Sequence, residues 1–214
     1  MVIIIIVAGV GCFIGIAANS IEGIIEEQER RLRFRKLNMT IGVFLSETGT
    51  TLLQRFSGAD PGIEILQSSL IPSDSWSDQD FASAAGKLSQ YAYALDSRKI
   101  DLASLHAFLY GRKELLLSML QNPSLLEHES FSDSLQALFH LLEELDWRVR
   151  IGGFPSLPPT DYDHLSGDLN RVYRLLVLEW LSYMHHLRKT YPYLFSLSMR
   201  TNPFNPDASP VVKN

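Results

Sequence analysis

The residues able to do chemistry are few and scattered. Six histidines are present, His106, His128, His140, His164, His185 and His186. The adjacent pair His185-His186, a turn and a half beyond Glu179, comes nearest to a metal-ligand pattern. Neighbouring helical residues point about 100° apart, so that pair does not readily chelate one ion. The other four histidines show no HExxH or related spacing. Cys12 is the single cysteine, which excludes an internal disulfide framework and the usual thiolate zinc centre. It sits in an apolar run and reads as an inert side chain. Ser166-Gly167 lacks a GxSxG elbow, and no phosphate loop occurs. Glu143-Glu144 reads as an exposed helix face rather than an acid/base pair. Trp76, Trp147 and Trp180 read as core or cap residues. The expectation is therefore no catalytic residue, no bound cofactor and no metal ligand, and a chain that is not an enzyme.

These residues must be positioned by elements drawn from 214 residues, enough for one domain with a real core. With 46% hydrophobic and 20% charged residues, disorder is excluded. A net charge of −5 argues against a nucleic-acid partner, which needs a basic surface. The charge is unevenly spread: +1 over residues 1–38, −4 over 39–110 and −2 over 111–214. A mean hydropathy of +0.02 is high and has its source at the start of the chain.

Residues 2–18 carry no charge, amide or hydroxyl. Seventeen helical residues reach about 25 Å, the short end of a membrane span. A buried strand is the competing reading of the β-branched start, but the run exceeds usual strand length. The positive charge follows the run, in Arg30, Arg31, Arg33, Arg35 and Lys36, rather than preceding it as in a signal peptide. The positive-inside rule then predicts an uncleaved span at residues 1–21 in the cell (inner) membrane. Its N-terminus lies outside and the body in the cytoplasm. Glu22, Glu26, Glu27 and Glu29 precede the arginines, and Glu26–Arg30 and Glu27–Arg31 are favourable i,i+4 pairs, so a charged linker helix is expected over 22–38. The basic collar is expected to touch anionic lipid. Ala8, Gly11, Gly15 and Ala18 share one helix face, a spacing that permits close helix packing.

The run IIVAGVGCFIGIAANSIEGIIEEQERR, residues 5–31, resembles the inner, pore-lining helix of prokaryotic two-transmembrane potassium channels, the calcium-gated archaeal ones in particular. Gly9 matches the hinge glycine of that family, Gly11 the second glycine, Phe13 the aromatic, and residues 22–31 the charged exit. The resemblance implies a potassium-channel-like subunit, potassium as the transported ion, a tetramer around a pore, and a bend at Gly9 driven by the cytoplasmic body. It departs from the family in lacking any TVGYG-type filter, outer helix or pore helix. The expectation is thus an inner helix with its regulatory region, in a truncated or mis-started subunit. The alternative is a bitopic scaffold whose helical body binds a protein partner, dimerised through Gly11 and Gly15.

The body over 39–190 reads as all-α, about five helices, with residues 191–214 as an extended, proline-containing tail. Helices are expected over residues 39–56, from the Ser77 box to about 97, over 102–120, from Ser130 onward, and from Thr160 to about 189, with a short one at 63–70 interrupting the loop over 57–80. Ser77-x-x-Asp80, Ser130-x-x-Asp133 and Thr160-x-x-Asp163 resemble capping boxes. Leu135, Leu138, Leu142 and Leu145 are expected to face inward. The segment RTNPFNP, residues 200–206, reads equally as a docked tail or a partner motif.

Overall fold

The computed structural model describes residues 23, 25–29, 35–126, 128–155 and 157–212. They fall into two units, residues 1–40 and 41–214. In the first, the described residues are helical, and Thr40 Oγ1 donates to the Lys36 carbonyl at 3.1 Å. Arg35 and Lys36 of the basic collar are exposed. The segment expected to span a membrane, with Gly9, Gly11, Phe13 and Gly15, lies outside the described residues, as do Arg30, Arg31 and Arg33.

The second unit is all-α among the described residues. Residues 41–44 are helical and run into a π-helical turn, Leu45–Gly49, and then α1, Thr50–Ala59. A Cβ on Gly42 would lie 2.5 Å from the Tyr183 hydroxyl, so a larger residue there forces a shift. Leu52, Leu53 and Phe56 of α1 are fully buried. Helix α2, Ile63–Leu70, is followed by α3, Asp78–Gln90. Helix α3 opens on a capping box. Ser77 Oγ accepts the Asp80 N–H at 3.3 Å, and Asp80 Oδ2 accepts the Ser77 N–H at 2.7 Å.

Helix α3 ends at Gln90 instead of running to residue 97. The cause is tertiary. Asn170 takes over the backbone of Leu95, accepting its N–H at 2.8 Å and donating to its carbonyl at 3.1 Å. A 3₁₀ turn, Ser97–Lys99, leads to α4, Leu102–Tyr110, capped by Asp101 Oδ1 on the Ser104 N–H at 2.9 Å. The single helix expected over 102–120 is split at Gly111 and Arg112 into α4 and α5, Lys113–Leu120. Pro123 opens a short helix, α6, Pro123–Leu126, because a first-turn proline gives up no helical bond. Helix α7, Glu129–Arg150, begins at the His128 cap, and Pro158 precedes α8, Pro159–Thr190. Between them Gly152 and Gly153 take φ of +127° and +85°, values that favour glycine. Residues 191–214 are not simply extended. Pro192 occupies the first position of α9, Pro192–Arg200, and turns follow.

Helix α8 is the centre of the unit. It packs on α7, α3, α9, α1 and the 3₁₀ turn. Leu165, Leu169, Val172, Tyr173, Leu176, Val177, Trp180, Leu181, Met184 and Leu187 are buried along it, a broad apolar face that suits a helix packed on several neighbours. Leu135, Leu138, Leu142 and Leu145 of α7 are buried as their period predicts, and Leu141 joins them. Trp180 is buried, whereas Trp147 is 64% exposed and carries Arg150 over its ring.

Candidate functional site

Two places in the second unit gather polar groups beyond what the fold needs. The first is a cavity of about 350 Å³ between α1, the 3₁₀ turn and the start of α4. Phe56, Ile100 and Leu105 give it apolar walls; Arg55, Lys99, Asp101 and Ser104 give it polar ones. Arg55 reaches it from an outward position of α1. Its guanidinium lies 4.9 Å from the Phe108 ring centre and donates to Ser104 Oγ at 3.2 Å. Ring and hydroxyl together fix the planar cation in place. The Asp101 carboxylate is engaged as the α4 cap, so the cavity carries two cations against one acid already committed to backbone.

Phe56 also touches a buried polar cluster. Asp60, 5% exposed, accepts the Gly62 N–H at 3.0 Å and the Tyr91 hydroxyl at 2.8 Å. Its Oδ2 has no hydrogen bond, nor does the buried Tyr173 hydroxyl. Burial first, and the Asp60 charge second, push the Tyr173 phenol well above its ordinary range. Phe56 bridges the two layers, edge-on to Tyr173 at 5.7 Å.

The second place is the seam between α7 and α8. Arg148, 7% exposed, donates through Nε and Nη2 to the two oxygens of Asp161, both at 2.7 Å, and through Nη1 to Glu144 Oε2 at 2.5 Å. The Asp161 bond, then the Glu144 bond, raise the guanidinium further against the opposing cost of burial. Arg148 in turn lowers both carboxyls. One turn on, His164 Nε2 lies 3.6 Å from Glu144 Oε2 and 3.4 Å from Asp168 Oδ2. His140 Nε2 lies 3.6 Å from Asp168 Oδ2 and 3.9 Å from Glu144 Oε1. Arg171 Nη1 stands 3.6 Å from Asp168 Oδ1.

The remaining chemistry-bearing residues are dispersed. His185 and His186 diverge: His185 Nε2 meets Asp78 Oδ1 at 2.8 Å, while the His186 ring lies 5.9 Å from Tyr191. The His185 bond, then that of Lys189, lowers Asp78 to about 2. Burial lowers His186. Glu179, 4% exposed, is pushed up by burial, against Ser130 Oγ at 3.1 Å and the His128 charge. His106 Nε2 meets Asp146 Oδ1 at 3.2 Å. Glu143 is exposed, but Glu144 faces the seam, so the two are not one surface pair. The sequence shows His140-x-x-x-Glu144 and His164-x-x-x-Asp168 each on one helix face, but not that the two faces meet.

Residues 33–200 match the family described as "Uncharacterized protein MJ1433, C-terminal helical domain". The chain is 42% identical over 185 residues to "Uncharacterized protein MJ1433" of Methanocaldococcus jannaschii, covering 86% of this chain and 73% of that protein. No solved structure matches. These findings overturn the potassium-channel resemblance and, with it, the channel-like and membrane-scaffold functions and potassium transport. The resemblance rested on residues 5–31, whereas the family match covers 33–200. Glycines and a phenylalanine in an apolar run are a pattern many helices share, so the resemblance had little to discriminate with. The inner-membrane placement is corrected too: among the described residues no helix is long and apolar enough to cross a membrane.

Proposed function

The chain belongs to the family of the MJ1433 C-terminal helical domain, and from its own residues we propose that its helical unit binds a small anionic molecule, bearing a carboxylate or phosphate, in the cavity beside α4. The observation that carries this reading is Arg55, held by Ser104 and Phe108 at the wall of a 350 Å³ cavity that Lys99 also lines. A few fixed polar groups over apolar walls is the common build of a small-molecule site. The role is binding rather than catalysis. A guanidinium and an ammonium hold charge, and the Ser104 hydroxyl is engaged by Arg55, so the cavity walls present charge without a poised proton carrier. The net charge of −5 supports the reading that nucleic acid is not a partner. The oligomer expected through Gly11 and Gly15 concerns residues outside the described ones.

Thermal unfolding of the full chain with inorganic phosphate, nucleoside monophosphates and small dicarboxylates tests the proposal. A concentration-dependent rise in Tm is expected for at least one class. Arg55→Ala and Lys99→Ala should each weaken that ligand by about tenfold or more, ~1.4 kcal/mol. No rise with any class, or a rise unchanged by both substitutions, rejects it.

A further inference from the structure

Helix α1 ends at the cavity without closing its last turn. The final carbonyls of a helix depend on donors from outside it. The Asp60 N–H returns to the Ser57 carbonyl at 3.3 Å, and Pro61 has no N–H to give. The Gly62 N–H goes to Asp60 Oδ1 at 3.0 Å, and the Ile63 N–H to the Asp60 carbonyl at 3.4 Å. These four positions leave the Gly58 and Ala59 carbonyls without a backbone donor. Both residues line the cavity, so the negative end of the α1 dipole stands at its wall.

Asp101 adds to the same side of the ledger. Its Oδ1 caps α4 on the Ser104 N–H, which leaves Oδ2 as an acceptor in a residue that lines the cavity. The cationic side is equally specific. Arg55 spends Nη1 on Ser104 Oγ and keeps the Nε–Nη2 edge, the one that takes a carboxylate with two parallel bonds. Gly58 and Ala59 follow Arg55 by three and four residues, so cation and carbonyls share one face of α1 about one turn, ~5.4 Å, apart. An anion alone satisfies Arg55 and Lys99 but meets unfavourable charge at the carbonyls and Asp101. A ligand carrying both signs is met favourably at each end.

We infer that the ligand of this cavity is a zwitterion, an α-amino acid with an apolar side chain. Its carboxylate lies on the free edge of Arg55, with Lys99 adding charge. Its ammonium has three N–H donors, and the Gly58 carbonyl, the Ala59 carbonyl and Asp101 Oδ2 are three acceptors for them. Phe56, Ile100 and Leu105 form the apolar walls that take the side chain. A cavity of about 350 Å³ is at the small end of the range for small-molecule sites, which suits a ligand of this size. This inference rests on the anion reading of the cavity and narrows it to one class.

Calorimetric titration of the full chain with three probes tests it: L-leucine, 4-methylpentanoate, which is leucine without its amino group, and 3-methylbutylamine, which is leucine without its carboxylate. Leucine should bind at least about tenfold more tightly than either half. Arg55→Ala should weaken leucine and 4-methylpentanoate together. Asp101→Asn keeps a good helix cap and should weaken leucine by about tenfold while leaving 4-methylpentanoate unchanged. If 4-methylpentanoate binds as tightly as leucine and depends on Arg55, the zwitterion inference fails and the anion reading stands. If no anion binds, phosphates and dicarboxylates included, both fail. A leucine preference that survives Asp101→Asn places the ammonium elsewhere and also overturns the inference.

Discussion

Arg148 and Asp161 form a two-pronged ion pair, Nε and Nη2 each 2.7 Å from one carboxylate oxygen, that ties the last turn of α7 to the first turn of α8. The same guanidinium also bonds back along α7, Nη1 donating to the Glu144 carbonyl at 2.7 Å. Gly152 and Gly153 let the chain reverse between the two helices, and the Gly153 N–H returns to the Arg148 carbonyl at 2.8 Å. Arg148 thus bonds to both sides of the reversal, through its side chain to Asp161 and through its carbonyl to Gly153.

Arg148→Met should destabilise the chain by about 3 kcal/mol in urea unfolding, the low end for breaking a buried pair, because Glu144 and Asp161 keep some solvent contact. Arg148→Lys should recover part of that, as an ammonium cannot match the fork. The pH dependence follows from sign. Asp161 and Glu144 are depressed in the folded state, so their contribution is present above the ordinary carboxylate range and is lost as pH falls through their folded values. Arg148→Met should flatten that acid limb. An unchanged limb would remove the pair from the stability argument.

Glu179 acts in the opposite sense. Burial raises its carboxyl, so the folded state holds the proton more tightly than the unfolded one. Its contribution is present below the ordinary carboxylate range and is lost as pH rises through the folded value. Glu179→Gln keeps an acceptor for Ser130 Oγ while removing the charge. It should raise Tm at neutral pH and leave Tm near pH 4 almost unchanged. Equal shifts at both values would contradict a buried-charge origin.

The sequence makes some of this legible. Helical period alone places Leu135, Leu138, Leu142 and Leu145 in the core, and Ser77-x-x-Asp80 marks the start of α3. What it hides is set by contacts distant in sequence. Asn170 draws Leu95 out of helix, and nothing local near residue 95 announces it. The histidine–carboxylate contacts at the seam are invisible because those between the helices exist only once α7 and α8 pack together. Arg55 and Ser104, 49 residues apart, are ordinary surface residues until α1 and α4 are brought together. The apolar opening misled in the other direction, since composition fixes hydrophobicity and not family.

Tyr173 gives a test of buried polarity without charge. Its side chain is fully buried and its hydroxyl makes no hydrogen bond. Tyr173→Phe removes an unsatisfied polar atom and keeps the ring contacts with Phe56 and Tyr93. The change should be neutral or stabilising by up to about 1 kcal/mol in urea unfolding. A loss above that size would show that the hydroxyl is satisfied in the folded chain, by Asp60 directly or through an ordered water beside it.

The segment RTNPFNP proves to be docked. Asn202 is 1% exposed; its Nδ2 donates to the Leu70 carbonyl at 2.7 Å and its Oδ1 accepts the Phe204 N–H at 2.9 Å. Phe204 is seated edge-on to Trp180 at 5.0 Å, and Ser57 Oγ donates to the Pro203 carbonyl at 3.4 Å. The asparagine thus ends α2 from afar, since the Leu70 carbonyl belongs to the last turn of a helix with no glycine cap. Asn202→Ala strands that buried carbonyl and frees the chain after α9. A cost of about 2–3 kcal/mol is expected, with faster proteolysis after Arg200. Phe204→Ala should cost about 3 kcal/mol through the lost ring contact and the cavity left against Trp180. Because both act on one docked segment, the double variant should cost less than the two single changes added together. Strict additivity in urea unfolding would mean that the asparagine and the ring hold the tail independently.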